Sequence, residues 1–355
     1  MFKTASEKKN ILVAPLNWGL GHATRCIPII NALIDNDFNP IIASDGVALE
    51  LLQKEFPNLQ TIELPSYQIE YAKNGANFKL KLFLNSHKMI RAILKERNKT
   101  RKIIQMYNIQ GIVSDNRLGV VSDIIPSVFI THQLNVMTGN TTWLTTQLHN
   151  RVIKKFDECW VPDVDSFPNL SGDLGHPEKK HSNVKYIGPL SRLHKKNLEK
   201  KYDLMVILSG PEPQRTMLEE KLISELESYH GTILFVKGKI EENQSIQKLN
   251  QFTFYNYMNS EQIEVAFNES ERILCRSGYT TVMDLAKLKK KAFFIPTPGQ
   301  YEQEYLAKKF KEEGLVPSCK QEKFKLRKLD KIELYKGLRS FDSHIKWHDL
   351  LEVFK

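Results

Sequence analysis

The chain has 355 residues, of which 41% are hydrophobic and 26% charged, and its formal net charge is +10. This length favours two domains over one, and the composition excludes the disordered and fibrous classes. The four cysteines lie far apart without a C-x-x-C pair, and no apolar run reaches the about 18 residues of a membrane span, so zinc ribbons, disulfide scaffolds and integral membrane proteins are excluded. The N-terminus lacks the apolar core of a signal peptide, and we expect a cytoplasmic protein.

The first half of the chain alternates short apolar strands with helical patterns. The strands are apolar throughout rather than alternating, which indicates burial on both faces of a parallel sheet. Helical segments such as "TRCIPIINALIDN" separate several of them, as in the βαβ units of a doubly wound fold. The predicted strands are 11–16, 40–45, 60–65, 111–115, 127–134, 158–162 and 184–190.

After the basic linker "SRLHKKNLEKKYD", 191–203, the pattern begins again. We predict strands at 204–210, 231–238, 252–257, 271–278 and 291–299, followed by a helical tail from about 328. The fold class is therefore α/β, with two Rossmann-like doubly wound parallel-sheet domains facing a cleft. The expected boundaries are 1–190 for an N-terminal domain joined by a C-terminal helix at about 336–355, and 204–335 for a C-terminal domain. Ligands of such sheets bind at the carboxyl ends of the strands.

The loop after the first predicted strand, "LNWGLGHATR", carries Gly19, Gly21, His22 and Arg25. One glycine is explained by an ordinary strand-to-helix turn. Two glycines with a histidine and an arginine favour a tight loop at which a ligand approaches the backbone of a helix N-terminus. The full G-x-G-x-x-G dinucleotide pattern is absent. We interpret Arg25 as solvated or facing the linker.

Two further strand ends carry candidate groups. Arg276, Ser277 and Gly278 end a strand and open a helix, an arrangement that suits a phosphate or diphosphate. Asp284 follows inside that helix, where it would accept hydrogen bonds from ribose hydroxyls or simply be a solvated acid near the helix start. The next strand end leads to the run Glu302, Gln303 and Glu304, whose groups suit a polyol but also an ordinary acidic helix start.

Three residues are candidates for a general base. His22 lies in the glycine loop and titrates near neutral pH. Asp115 ends the strand "GIVSD", beside Asn116 and Arg117, and His132 lies in "FITHQL". We predict His22 and Asp115 as the catalytic pair and keep His132 as a third candidate, because all three stand at strand ends.

The motifs "GLGH" and "RSGYTTVMD…PTPGQYEQE" resemble the GT-B glycosyltransferases, in the family 28 branch that includes the N-acetylglucosaminyl transferase making the lipid-linked peptidoglycan precursor. The similarity covers nearly the whole chain in element order and is specific over 275–305. It implies a donor-binding C-terminal domain and an acceptor-binding N-terminal domain. It places His22 as the functional histidine of the glycine loop. The donor-binding residues that it implies are Gly21, Arg192, Ser209, Gly210, Met258, Arg276, Ser277, Gly278, Asp284, Glu302, Gln303 and Glu304.

Within that resemblance, single positions take particular roles. Asp284 stands where the family has a glutamate on the ribose, and Arg192 matches an arginine that reaches the diphosphate. Gln303 and Glu304 stand where the related enzyme has two glutamines on the donor sugar, so the change to glutamate speaks against N-acetylglucosamine. Met258 lies in a segment whose backbone reads the base. The turn "SGPEPQR", with Ser209 and Gly210, replaces a shorter glycine-rich turn.

The implied activity is the transfer of a sugar from a nucleotide sugar, with UDP as the expected nucleotide, to a hydroxyl acceptor by a hexosyltransferase. Arginines and helix N-termini stabilise a leaving diphosphate without a metal, and no D-x-D stretch supplies a metal site. We expect inversion at the anomeric carbon, no cofactor and no metal. Two alternatives stay open: a non-hydrolysing nucleotide-sugar epimerase, and a non-catalytic sugar-nucleotide binding protein.

The segment 78–104 combines an apolar stripe (Phe83, Leu84, Ile90, Ile93, Leu94) with many lysines and arginines. Such a helix lies either on an anionic membrane or against the core with a solvated basic side. We favour the core-facing interpretation. The membrane interpretation would place the enzyme on the cytoplasmic face, with a lipid-linked or membrane-surface acceptor. A nucleic-acid partner is not expected, because no recognised binding module is present.

Overall fold

A computed structural model describes residues 8–67, 86–137, 142–179, 182–338 and 345–355, which form two α/β domains. In the described part of the N-terminal domain, seven parallel strands form one sheet in the order β3-β2-β1-β4-β5-β6-β7. The strands are β1 Asn10–Pro15, β2 Asn39–Ser44, β3 Thr61–Glu63, β4 Ile109–Asp115, β5 Ser127–Ile130, β6 Glu158–Val161 and β7 Val184–Tyr186. The helices are α1 Leu20–Asp35, α2 Gly46–Glu55, α3 Ser86–Met106 and α4 Thr142–Ile153.

The C-terminal domain has a second sheet, with the order β10-β11-β9-β8-β12-β13 in the described residues. Its strands are β8 Tyr202–Ile207, β9 Ile233–Val236, β10 Ile246–Leu249, β11 Phe252–Tyr255, β12 Ser270–Cys275 and β13 Lys291–Phe294. Its helices are α5 Gln214–Leu226, α6 Ser260–Glu269, α7 Tyr279–Leu288 and α8 Tyr301–Glu312. The predicted fold of two Rossmann-like parallel sheets is confirmed.

The sequence missed β10, which pairs antiparallel with β11 at the edge of the second sheet. All four residues of β10 are exposed, so this strand carries no buried apolar run that would have revealed it. The other strands were found, but several were predicted too long. The apolar run predicted as strand 127–134 leaves the sheet after Ile130, because Leu134 is buried in a loop rather than in the ladder.

The helical prediction for the tail is only partly right. Leu326–Leu334 is a 3-10 segment, and the last α-helix, α9 Trp347–Leu351, has five residues before a final 3-10 turn. This end of the chain packs on the N-terminal domain: the ring of Phe354 meets the rings of Trp160 and Phe38 edge-on, and Lys9 Nζ donates to the Phe354 carbonyl at 3.1 Å.

The two domains share a continuous apolar core. Leu190 and Leu193, at the end of the N-terminal domain, belong to the same buried cluster as Met283 of α7. The backbone N–H of Leu190 also contacts Met283 Sδ at 3.3 Å. These contacts hold the carboxyl ends of the two sheets toward each other, where ligands of such sheets bind.

Helix α3 buries Ile103 and Ile104 but leaves Ile90 and Leu94 of the predicted apolar stripe exposed. Its buried positions are Glu96, Thr100, Ile103 and Ile104, whereas Ile90 and Leu94 are 56% and 57% exposed. The buried face is therefore partly polar, because Glu96 forms a buried ion pair with Arg117. The core-facing interpretation is wrong for Ile90 and Leu94, while Phe83 and Leu84 lie outside the described residues.

Candidate active site

The site begins where β1 and β4 end side by side, with Pro15 in register with Asp115. The chain then turns through Gly19, whose φ of 78° lies in the left-handed region that glycine adopts without strain. Helix α1 begins at once with Leu20, and its first turns carry His22 and Arg25. The parallel register thus places a strand-end carboxylate directly under two helix side chains that are remote in sequence.

His22 and Asp115 form a hydrogen-bonded pair, with Nδ1 of His22 2.8 Å from Oδ1 of Asp115. Arg25 is buried and donates to both Asp115 oxygens, Nε to Oδ2 and Nη2 to Oδ1. Its Nη2 also lies 2.8 Å from His22 Nδ1. The interpretation of Arg25 as solvated or linker-facing is therefore wrong. No local pattern indicates the partner of Arg25, which lies 90 residues away in the chain.

The surroundings set different proton affinities for these groups. Burial alone would raise the pKa of Asp115, but Arg25 and then His22 hold that pKa far below its usual value. Burial lowers the pKa of His22 from 6.5, with Asp115 opposing and Arg25 adding to the decrease. At neutral pH the pair therefore consists of an ionised carboxylate and an uncharged imidazole, which is the state that a histidine base requires.

His132, the third candidate, joins the same cluster. Its Nδ1 lies 3.0 Å from Arg25 Nη1, and its ring stacks on Tyr279 with 4.1 Å between centroids and 5° between planes. Glu302, from the other domain, approaches His132 Nε2 to 3.2 Å through Oε1 and accepts a hydrogen bond from Gln133 through Oε2. The structure thus brings all three base candidates together.

The start of α7 faces the glycine loop across the domain boundary. Thr280 Oγ1 donates to the Gly21 carbonyl at 3.1 Å, and Tyr279 OH donates to the Pro162 carbonyl at 2.9 Å. Gly278 precedes the helix without a side-chain cap, and a Cβ there would meet no atom within 4 Å. The N-terminus of α7 thus has no side-chain cap and has open space at Gly278, two features that suit an anion-binding helix N-terminus.

Arg276 and Ser277 are buried, and their side-chain polar atoms have partners except Arg276 Nε, which has none among the described residues. The Nη atoms of Arg276 donate to the carbonyls of Ile295, Pro296 and Gln214, and Ser277 Oγ donates to the Gln303 carbonyl. In this arrangement both residues hold the loop 295–303 against α7. Direct contact of either with a phosphate stays a prediction.

Asp284 and Arg192 lie together at the domain junction. Asp284 Oδ1 accepts a 2.7 Å hydrogen bond from Ser191, and burial raises the Asp284 pKa to about 6, with Ser191 and Arg192 opposing. Nε and Nη1 of Arg192 are buried and have no hydrogen-bond partner within the described ranges. Burial lowers the pKa of Arg192, and the charges of Asp284 and Glu55 partly compensate. Two buried donors on a guanidinium are groups that bind an anion such as a phosphate.

The three residues 302–304 at the start of α8 have different surroundings. Gln303 Oε1 accepts from the Thr297 N–H at 2.8 Å and its Nε2 donates to Gln300, so its amide closes the preceding loop. Glu304 Oε1 accepts from the Gly299 N–H at 3.0 Å. Glu302 instead crosses to the N-terminal domain. Contact of these three with a donor sugar stays a prediction.

The remaining predicted donor residues lie in loops at the carboxyl edge of the second sheet. Gly210 has a φ of 100°, and a Cβ there would lie 3.4 Å from Thr297 Oγ1. Ser209 precedes it, and Met258 is partly buried against the apolar core just before α6. Arg215 is buried between Glu212 and Glu219, so its charge is already paired.

Within the described ranges, no three His, Cys, Asp or Glu side chains are grouped so that they could hold a metal ion. Among the helices described, none is long and apolar enough to cross a membrane. The sequence reasoning missed Tyr279, Thr280 and Gln133 as members of the site. Their partners lie more than a hundred residues away in the chain, and no local pattern marks them.

Comparison with known proteins agrees with this architecture. Residues 213–337 match the sequence model of the Glycosyltransferase family 28 C-terminal domain. Among solved structures, MurG of Acinetobacter baumannii is similar with a TM-score of 0.57 at 13% identity, over 98% of this chain and 99% of that one. The glycosyltransferase SnogD from Streptomyces nogalater has a TM-score of 0.58 at 11% identity, with 98% and 94% covered. SsfS6 from Streptomyces sp. SF2575, complexed with thymidine diphosphate, has a TM-score of 0.56 at 13% identity, with 87% of each chain covered. Among curated proteins none matches the chain.

Proposed function

We propose that this chain is a family 28-like glycosyltransferase that transfers a hexose from a UDP-sugar to a hydroxyl acceptor, with inversion and without a metal. The observation that carries the proposal is the His22–Asp115 pair at the domain boundary, beside the start of α7 in the family 28 domain. A histidine in this position is unnecessary for binding alone, which favours catalysis over a sugar-nucleotide binding protein.

In the proposed reaction, the acceptor hydroxyl oxygen attacks the anomeric carbon of the sugar. The bond from that carbon to the diphosphate oxygen breaks, and the nucleoside diphosphate leaves with the electron pair. The hydroxyl proton passes to Nε2 of His22. Attack on the face opposite the leaving group inverts the anomeric centre.

Asp115 acts on His22 rather than on substrate in this proposal. Its oxygens are taken by Arg25 and His22, and its pKa is held far below the normal range, so it is a poor proton acceptor. An ionised carboxylate at Nδ1 fixes the imidazole with Nε2 free and stabilises the imidazolium that forms. This assigns the base to His22 and orientation to Asp115.

The donor diphosphate is proposed to bind between the first N–H groups of α7 and the unpaired donors of Arg192. Asp284 is proposed to bind the ribose hydroxyls. A pyrimidine nucleotide is supported by the similarity to SsfS6, whose solved structure contains thymidine diphosphate. Uridine and thymidine diphosphates share the diphosphate and the 3′-hydroxyl, whereas thymidine diphosphate lacks the 2′-hydroxyl that Asp284 would also bind.

The acceptor is proposed to lie at a membrane surface on the cytoplasmic side. The exposed Ile90 and Leu94 of α3 are flanked by the exposed Arg91 and Lys95, on a helix of the N-terminal domain. An apolar pair within a basic face binds anionic lipid by insertion and charge together.

A thermal-shift screen of the purified protein tests the donor site. We expect UDP and its sugars, added without metal, to raise the Tm, and expect Arg192→Ala and Asp284→Ala to abolish the rise. Arg101→Ala, an exposed arginine of α3, is the matched control and keeps the rise. A rise in Tm with thymidine diphosphate alone would replace UDP by thymidine diphosphate as the proposed donor nucleotide. No rise with any nucleoside diphosphate at millimolar concentration would refute the donor site, and product formation without an acceptor would indicate an epimerase.

A further inference from the structure

Glu302 is the one member of the candidate run 302–304 whose carboxylate leaves its own domain in the described structure. Its Oε1 lies 3.2 Å from His132 Nε2, and its Oε2 accepts from Gln133 Nε2. Both oxygens are thus engaged by consecutive side chains that follow β5 in the N-terminal domain. Burial would raise the pKa of Glu302, but His132 and then His22 and Arg25 lower it to about 2, so the group is ionised.

His132 is held from three directions. Arg25 Nη1 donates to its Nδ1 at 3.0 Å, Tyr279 stacks on its ring, and Glu302 meets its Nε2. Because a guanidinium only donates, Arg25 Nη1 donates to Nδ1 of His132, while Glu302 Oε1 lies 3.2 Å from Nε2 as a close ionic approach without hydrogen-bond geometry. Two of these three groups, Tyr279 and Glu302, belong to the C-terminal domain.

Arg25 connects this histidine to the catalytic pair. Its Nη1 serves His132, while its Nε and Nη2 serve Asp115, with Nη2 also 2.8 Å from His22 Nδ1. One contact chain therefore runs from Glu302 through His132 and Arg25 to Asp115 and His22. The chain crosses the domain boundary at a single step, between Glu302 and His132.

The charges of the contacting side chains between Glu302 and His22 show that Glu302 adds a negative charge. Within the N-terminal domain, Asp115 favours a proton on His22 more than Arg25 disfavours it, and burial of the imidazole opposes the charged form. The ionisable groups around the cluster are His22, Arg25, Cys26, Asp115, His132, Tyr279 and Glu302. Among them, the additional anion comes from Glu302.

We propose that Glu302 is a positioning residue that completes the catalytic group only when the two domains are together. Its carboxylate clamps His132 and Gln133, and through His132 and Arg25 it fixes the His22–Asp115 pair. The effect of Glu302 on catalysis rests on the proposed function. It assigns Glu302 to the domain contact and not to the donor sugar. The clamp itself is a property of the protein without substrate.

Hydrogen–deuterium exchange of the protein without ligand tests the clamp. Glu302→Gln keeps the shape and removes the charge, and Glu312→Gln, an exposed glutamate at the end of the same helix, is the matched control. We expect faster exchange at 131–135 and 279–283 in Glu302→Gln, and exchange at the rate of the natural sequence in the control. Unchanged exchange in Glu302→Gln would overturn the proposal, whether or not the protein is a transferase.

Steady-state kinetics test the catalytic consequence, with nucleoside diphosphate release measured from the UDP-sugar that stabilises the protein most. We expect Glu302→Gln to lower kcat by about 10- to 100-fold, with KM for the UDP-sugar changed less than about 2-fold. A raised KM at unchanged kcat would make Glu302 a donor ligand and overturn the proposal. Absence of any turnover by the natural sequence would count against the proposed function, while the exchange result would still decide the clamp.

Discussion

Nδ1 of His22 lies 2.8 Å from Oδ1 of Asp115, although the two residues are 93 positions apart and belong to a helix and a strand. Arg25 binds the same carboxylate from the helix side, so the imidazole, the carboxylate and the guanidinium fix one another. This three-group arrangement distinguishes the site from a simple histidine–aspartate pair, because the carboxylate charge is already compensated by a buried arginine.

Replacing the base should remove catalysis and keep donor binding. We expect His22→Ala to lower kcat by about 10²- to 10⁴-fold, the usual contribution of general-base catalysis, with the thermal shift by UDP retained. Nucleoside diphosphate release in the presence of acceptor is the measurement. His348→Ala, an exposed histidine of the C-terminal helix, is the control and should keep full activity. Equal activity of both variants would remove His22 from the mechanism.

Activity should rise with pH below neutrality and then level off. His22 must be uncharged to accept a proton, and burial puts its pKa below 6.5, so kcat/KM should increase through that lower pKa and be flat from about pH 7 to 8. The same shift makes the unfolded chain bind the proton first, so His22 contributes a loss of stability as pH falls below about 6.5. A limb centred above pH 7 in a kcat/KM profile would contradict this assignment.

Removing the buried arginine should destabilise the fold strongly. Arg25→Met leaves Asp115 as a buried carboxylate without its main partner, and we expect a loss of about 3–5 kcal/mol in the free energy of unfolding. Arg97→Met breaks an ion pair with the exposed Asp123 and should cost under about 1 kcal/mol. Denaturant unfolding measures both. Comparable losses would show that the Arg25–Asp115 pair is no more important than a surface pair.

Ionised Asp284 should lower the free energy of unfolding at neutral pH. Its pKa is raised to about 6, so folding favours the protonated form, and stability falls as pH rises from about 4 to about 6. Asp284→Asn should therefore raise stability at pH 7.5 by about 1–2 kcal/mol, since the side chain is only partly buried, and should give no gain at pH 4. Unfolding at the two pH values is the measurement, with Asp330→Asn as the exposed control. A gain at both values would mean that the carboxylate charge is not its cause.

The apolar pair on α3 should mediate binding to anionic vesicles. We expect Ile90→Ser with Leu94→Ser to reduce sedimentation with phosphatidylglycerol vesicles by about 10-fold or more, and expect salt to weaken binding of the natural sequence. Leu334→Ser changes a leucine that is 81% exposed on the other domain and should bind normally. Vesicle binding that is unaffected by the double substitution would place the acceptor elsewhere.

Much of the fold followed from local patterns. Continuous apolar strands separated by helices predicted two parallel sheets, because burial on both faces of a sheet leaves a run of apolar residues in the sequence. Strand β10 was missed for the converse reason, since all four of its residues are exposed. Strand ends were misplaced where an apolar run continued into a buried loop, as after Ile130.

The sequence also predicted His22 and Asp115 as two candidates for the base on the cleft side of one sheet, because ligands of parallel sheets bind at the carboxyl ends of the strands. It could not predict what Arg25 binds, nor that Glu302 meets His132 from the other domain, 170 positions along the chain. The first contact depends on how α1 packs over the ends of β1 and β4, and the second on how the two domains face each other, and no short-range pattern encodes either relation. The sequence by itself determined which elements form and which side chains stand at their ends. The tertiary structure decided which of those side chains contact one another, because the register of β1 and β4 brings Arg25 to Asp115 and the packing of the two domains brings Glu302 to His132.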